Sequence, residues 1–333
     1  MKKILIIRLS SIGDIVLTTP IVRCIKTHYP EAELHYLTRD SFASILRQNP
    51  YISKVFTFKD KVDEVIAGLK AENYDHVVDL HKNFRSLKVR MKLGIPASSF
   101  PKLNFKKWLL VHFKMRMMPD IHIVDRYFKA VEVLDVRNDY QGLDYFIPEK
   151  DKIDLSFLPE KHQNGYIGLV IGGKHGTKQL PTVKAIDLIK ILDFPVVILG
   201  GKEDEAAAEM ICSEVGETVF NACGKFNLNQ STWLVQQAKL IITNDTGLMH
   251  IAAAFNKKII SVWGNTVPEL GMYPYLPQFP QNSAISEVTG LKCRPCSKLG
   301  FEKCPKGHFD CMMKQDIEGI AEKAVEFLGI PEK

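Results

Sequence analysis

No apolar run in this chain approaches the ~18 residues that a membrane-spanning helix requires. The first, Ile4 to Ile7, is stopped by Arg8, too early to be the apolar core of a secretory signal. The expected compartment is therefore the cytoplasm, where the seven cysteines are reduced thiols or metal ligands rather than disulfides. The chain contains neither the G-x-G-x-x-G dinucleotide fingerprint nor the Walker pattern G-x-x-x-x-G-K-S/T, which disfavours NAD-dependent redox chemistry and P-loop ATP hydrolysis. Acids are nearly missing from one stretch. Residues 81–129 hold twelve Lys or Arg against Asp120 and Asp125, although the whole chain carries a formal charge of only +6. Such an imbalance suits an anionic partner.

What is present argues for an α/β protein. At 333 residues and 46% hydrophobic, the chain is long enough for two domains with separate cores. Short β-rich runs alternate with helical text: Ile4 to Ile7, a helix from about Asp14 to His28, Glu33 to Thr38, a helix after Asp40, Val55 to Phe58, then "YDHVVDL" at 74–80. That alternation predicts parallel strands with crossover helices. A charged, irregular stretch at 148–165 reads as an interdomain linker, after which the pattern restarts with "YIGLVIGG", "PVVILGG", "KLIITND" and "KKIISVWG". The expectation is two Rossmann-like, doubly wound domains facing a central cleft, residues 1–155 and 156–333, with the C-terminal helix packing back on the first. Ligands in such sheets bind just beyond the carboxyl ends of strands.

Four strand ends carry polar or glycine-rich text. "RLSSIGDIVLTTP" places Asp14 at the first strand-to-helix turn, either as an N-cap or as a carboxylate that faces a cleft and moves a proton. "GGKHGTKQLP" combines Gly172, Gly173 and Gly176 with Lys174 and Lys178 ahead of a helix, a turn that suits a phosphate or diphosphate. In "LGGKEDE", Glu203 or Asp204 either binds ribose hydroxyls or supplies first-turn helix charge. "NDTGLMH" sets Asp245, Thr246 and Gly247 at a helix N-terminus, with His250 at the end of the first turn; capping alone leaves His250 unexplained.

Taken together and in order, "RLSSIGDIVLTTP", Lys178 and Pro181 of "TKQLP", "LGGKED" and "NDTGLMHIAAAF" resemble the motifs of glycosyltransferase family nine, the lipopolysaccharide heptosyltransferases, over nearly the whole chain. The resemblance implies a GT-B architecture, with an N-terminal acceptor half and a C-terminal half for a nucleotide-sugar donor, typically ADP-heptose. By motif position Asp14 is similar to the family's catalytic base, with Ser11 and Gly13 beside it on the acceptor side. Lys178 matches the lysine on the donor diphosphate and Glu203 the acid near the nucleoside. Asp245, Thr246, Gly247 and His250 match the loop and helix end around the donor's phosphates and sugar. The loop before Lys178 is shorter than in typical relatives, and Thr177 is its nearest hydroxyl.

The reaction so implied is an inverting heptosyl transfer to a lipopolysaccharide core or lipid A acceptor, with no cofactor required. Its acceptor is a phosphorylated glycolipid, so the protein would work peripherally on the inner face of the cytoplasmic membrane. The basic segment fits: Arg85 is the best single acceptor contact. "LNFKKWLLVHFKMRMMP" at 103–119 either rests on the anionic membrane surface or is a core-packing helix with a solvated basic face. Alternatives are transfer of another sugar from another nucleotide, or a non-catalytic sugar-nucleotide or nucleic-acid binder, although no nucleic-acid partner is expected. Finally, "CRPCSKLGFEKCPKGHFDC" gathers Cys293, Cys296, Cys304 and Cys311. This set is compatible with a structural zinc, although reduced packing thiols or an oxidisable pair serve equally.

Overall fold

The run KILII becomes the middle strand of a parallel sheet, since residues apolar on both faces need helices on both sides to cover them. A computed structural model describes residues 3–329. In it, β1 (Lys3–Ile7), β2 (Glu33–Arg39), β3 (Lys54–Phe58), β4 (His76–Asp79) and β5 (Ala97–Ser99) form a five-stranded sheet in the order β3-β2-β1-β4-β5. Every pairing is parallel, with Ile7 opposite Leu37 on one side and Asp79 on the other. The order reverses at β1, so the loop after Ile7 leaves the sheet at its topological switch point.

The second sheet contains β6 (Ile167–Val170), β7 (Val196–Leu199), β8 (Val219–Asn221), β9 (Leu240–Asn244), β10 (Lys258–Trp263) and β11 (Ser283–Glu287), in the order β11-β10-β9-β6-β7-β8. It too is wholly parallel, and its switch point lies between β6 and β9. The loops that follow β6 and β9 are therefore neighbours, although more than sixty residues of chain separate them.

The chain divides into two compact units, Met1–Leu103 with Ile121–Phe146, and Asn104–Asp120 with Ile147–Lys333. Two expectations change here. The segment at 104–120 belongs to the second unit, because its helix Asn104–Phe113 buries Leu110 against Val267 and Leu270, and Lys114 Nζ donates to Pro295 O at 2.7 Å. The stretch read as a linker is folded into the second unit as well. Its Asp151 is buried and accepts from Asn227 and Asn229 at 3.0 and 2.9 Å, and Trp233 Nε1 donates to Ile153 O. The C-terminal helix Ile317–Leu328 belongs to the second unit, where Ile317, Ile320, Ala324 and Phe327 join the core with Leu188 and Ile189.

The helix expected from Asp14 to His28 is two, Ile12–Val16 and Thr19–His28. Pro20 has no N–H to continue a helical ladder and sits in the first turn of the second helix, where none is needed.

Candidate active site

In the first unit, the turn after β1 is organised around one ion pair. Arg8 Nη2 lies 2.5 Å from Asp14 Oδ1. The guanidinium is itself anchored, Nη1 donating to Leu80 O at 2.6 Å and Nε to Ser10 O at 2.9 Å, with the Tyr127 ring 5.8 Å away. Ser11 closes a capping box: its N–H and Oγ–H both donate to Asp14 Oδ2, at 3.3 and 2.9 Å. Burial opposes a charge on Asp14, but the Arg8 charge and the Ser11 hydrogen bonds outweigh it and hold the carboxyl below its ordinary value. The N-cap is Ser11 and Asp14 is the third residue of the helix, so the capping role expected of Asp14 falls to Ser11, while Asp14 is an ionised group with its side chain still 23% exposed.

Of the other residues expected on this side, Ser11 is exposed and Gly13 is buried in the helix turn beneath it. Arg85 is exposed in the first turn of the helix Phe84–Leu93, whose start is capped by the Asn83 side chain. His81, a residue that sequence reasoning missed, is near enough to Arg8 and Arg85 to feel both charges. Burial, reinforced by the nearby charges of Arg8 and Lys102, pushes its imidazole down to about 3, so it is neutral at working pH. Only its place two residues after β4, beside the switch point, marks it.

In the second unit, the residues expected to face a donor converge across the β6/β9 switch point. Lys178 Nζ lies 2.5 Å from Asp245 Oδ2 and 3.4 Å from Asp245 O. Thr266, just past β10, donates its hydroxyl to the same Oδ2 at 2.9 Å. Asn244 ties the loops together: its Nδ2 donates to Val170 O and Ile171 O, and its Oδ1 accepts from Leu180 N. Thr246 caps the helix Gly247–Ala254, whose first residues are half-buried, and His250 is buried one turn inside.

At the end of β7, Glu203 is exposed, whereas Asp204 is buried and accepts from Gly201 N at 2.8 Å. A side chain at Gly172 would place its Cβ 2.4 Å from Asp204 Oδ2, so this approach of two strand-end loops requires glycine. The division of labour is a caryatid and a free acid: Asp204 holds the turn and Glu203 remains available to solvent.

Thr177 does not join them. It is buried, accepts from Phe301 N at 2.8 Å and donates to Phe301 O at 2.9 Å, so its hydroxyl holds the segment after the cysteine pair and not a ligand. Gly176 is pressed against the same segment, where a Cβ would come 2.5 Å from Glu302 O. Thr177→Val strands the Phe301 N–H, while Phe301 O keeps the Thr177 backbone N–H at 3.0 Å, and is expected to cost about 1 kcal/mol in denaturant unfolding.

The second residue missed in the sequence is Arg294, inside "CRPC". It is buried, and its guanidinium donates to Gly264 O (2.5 Å), Val288 O (2.8 Å), Thr266 O (2.9 Å) and Trp263 O (3.4 Å), with Glu287 Oε2 at 2.9 Å. It gathers the ends of β10 and β11 and so places Thr266 against Asp245. An arginine between two cysteines reads as loop charge until the fold surrounds it with carbonyls.

The zinc expectation is not supported by the geometry. All seven cysteines are free, and Cys311 is buried while Cys293, Cys296 and Cys304 are half-exposed. Cys296 Sγ lies 3.1 Å from Cys293 O, and burial first, then the neighbouring thiols, push it up to about 11. Among the described residues, the one group of three or more possible ligands within 4.8 Å of one another is Glu33, His35 and Glu72. Those carboxylates already pair with Lys3 and Lys54, at the opposite end of the sheet from Asp14.

Among the described residues no helix is long and apolar enough to cross a membrane. The sequence profile of glycosyltransferase family 9 (heptosyltransferase) matches residues 62–299. Lipopolysaccharide heptosyltransferase 1 of Campylobacter coli is 28% identical over 288 residues, 79% of this chain and 84% of that one. The fold is similar to that of E. coli ADP-heptose lps heptosyltransferase II, with a TM-score of 0.74 at 20% identity over 98% of each chain. It is also similar to the glycosyl transferase family 9 structure from Veillonella parvula DSM 2008, with a TM-score of 0.79 at 21% identity over 99% of this chain and 98% of that one. With a profile match across most of its length and two doubly wound units of the GT-B type, the chain belongs to glycosyltransferase family 9 and is a glycosyltransferase.

Proposed function

We propose that the protein transfers heptose from ADP-heptose to a phosphorylated glycolipid of the lipopolysaccharide core, with inversion at the anomeric carbon. The observation that carries the reading is Asp14, an ionised and partly exposed carboxylate at the switch point of the first sheet. In the reaction, an acceptor hydroxyl attacks the anomeric carbon as the C–O bond to the diphosphate breaks on the opposite face. The hydroxyl proton passes to Asp14, and the electron pair of the broken bond leaves on the diphosphate.

A carboxylate of lowered pKa is a weak base, but an alcohol oxygen becomes strongly acidic once it bonds to the anomeric carbon. Asp14 therefore takes the proton late, and Arg8 and Ser11 keep it unprotonated until then. On the donor side, Lys178 spends two of its contacts on Asp245 and keeps donor capacity for a diphosphate oxygen. The N–H groups that open the Gly247 helix point the positive end of its dipole the same way. The chain thus supplies charge for the leaving group from its own residues. Glu203 is the acid for the nucleoside, and Arg85 meets an acceptor phosphate.

The acceptor's lipid places the protein in the cytoplasm, on the inner face of the membrane. The test is direct: purified protein with ADP-heptose and a delipidated, phosphorylated core acceptor should release ADP and yield a heptosylated product, against a panel of other nucleotide sugars. Release from another nucleotide sugar alone would overturn the donor assignment. Lys178→Ala should raise the KM for donor about 10- to 100-fold, the loss of one charge-assisted contact, while leaving the KM for acceptor unchanged.

A further inference from the structure

The helix Phe84–Leu93 is amphipathic the wrong way round for a protein in water. Its inward face is Ser86 and Val89, both buried, the latter in the first unit's core with Leu93 against it. On its outward face stand Phe84, Leu87 and Met91, spaced three and four residues apart and exposed by 91, 44 and 74%. Spacing of this kind forms a continuous stripe. The stripe does not serve the fold, since the helix start is already held by the Asn83 capping box and its end by Gly94 at φ 67°. Arg85, Lys88 and Lys92 flank it, and Lys88 makes only an exposed ion pair with Asp63.

We propose that this stripe inserts into the headgroup region of an anionic lipid bilayer. Large apolar side chains bordered by cations are what an interfacial helix presents, the rings and thioether entering the acyl boundary and the cations meeting lipid phosphates. A protein partner fits less well, because lysine is depleted at protein interfaces and residues 81–103, which share the first unit with this helix, carry Lys82, Arg85, Lys88, Arg90, Lys92 and Lys102 and no acid. The helix starts at the carboxyl end of β4, on the same side of the first sheet as Asp14, and the Arg85 charge is felt at His81 beside Arg8. Docking through Phe84 therefore brings headgroup sugars to the level of the base. The inference rests on the glycolipid reading of the acceptor, and the experiment separates the two.

Co-sedimentation with vesicles of phosphatidylcholine, with and without an equal amount of phosphatidylglycerol, measures the partitioning. The full chain should bind the anionic vesicles and be released by salt, as screening of headgroup charge requires. The triple variant Phe84→Ser, Leu87→Ser, Met91→Ser should partition on the order of 1,000-fold less, roughly tenfold for each of the three apolar side chains withdrawn. It should keep its melting temperature and its turnover on the delipidated acceptor. A second variant, Phe84→Trp, preserves the stripe and should shift its emission to the blue on anionic vesicles and be quenched by brominated lipid.

Vesicle binding unchanged in the triple variant, or a Phe84→Trp emission unmoved by vesicles, would overturn the proposal. So would self-association without lipid that the triple variant abolishes, which would make a second copy the occupant. Failure of the functional reading looks different: vesicle binding persists and no heptose moves to the delipidated acceptor.

Discussion

Asp14→Asn is expected to lower kcat by about 10²- to 10⁴-fold, the range that a positioned general base supplies, while nucleotide binding to the second unit is unchanged. The substitution is close to isosteric, and an asparagine at this place still accepts the Ser11 hydrogen bonds through its amide oxygen and so still closes the capping box. What it cannot do is take a proton. It also leaves Arg8 without its counter-charge, yet the guanidinium retains Leu80 O and Ser10 O, so the chain folds with reduced stability. Turnover assayed at saturating donor and acceptor, with the ADP-induced melting shift beside it, separates the two effects. Turnover near that of the unaltered protein would end the assignment of Asp14 as base.

The pH dependence follows from the sign of the Asp14 shift. The folded carboxyl titrates below its unfolded value, so its contribution to stability is present above the unfolded value of ~3.9 and is lost as pH falls through the folded one. The stability gap between the unaltered protein and Asp14→Asn is therefore full at neutral pH and closes under strong acid. Rate should follow the same group: acidification to about pH 5 leaves Asp14 ionised, so any loss of turnover there belongs to another residue.

Arg294→Met is the second large effect. The replacement fills much of the volume but removes every donor from a site lined by the carbonyls of Trp263, Gly264, Thr266 and Val288 and the Glu287 carboxylate. Removing one member of such a buried, charged network costs about 3–5 kcal/mol, read as a fall in the denaturant midpoint. Because Thr266 reaches Asp245 from the same segment, and Asp245 holds Lys178, ADP affinity should fall as well. Arg294→Lys should rescue little, since one ammonium cannot span carbonyls on two strand ends that a planar fork reaches together. Unaltered nucleotide affinity in a folded Arg294→Lys protein would confine Arg294 to the scaffold.

Much of this was legible in the chain itself. Strands buried on both faces, such as "KILII" and "LIITN", announce themselves because their apolar residues run on without alternation. Three of the four edge strands do not: Ala97–Ser99, Val219–Asn221 and Ser283–Glu287 are partly polar, since only one neighbour pairs with them, whereas the fourth, Lys54–Phe58, keeps a readable β-rich run. Motifs that lie next to a strand were likewise visible, and Lys178 and Asp245 were named before anything placed them in contact. Thr177 misled because a hydroxyl beside a lysine looks the same in sequence whether it faces a ligand or clasps Phe301.

By itself, then, the sequence determined the two parallel sheets, the strand ends that carry chemistry, and the acid in the first helical turn after β1. These are local matters of periodicity, propensity and the unpaired N–H groups at a helix start. Only the tertiary structure decided that residues 104–120 serve the second core, that Arg8 holds Asp14 ionised, that Arg294 gathers two strand ends, and that Thr177 clasps Phe301. Each of these depends on which groups are brought within a few ångströms across tens or hundreds of residues. A chain's periodicity records which face of an element is apolar, but not which neighbour covers it.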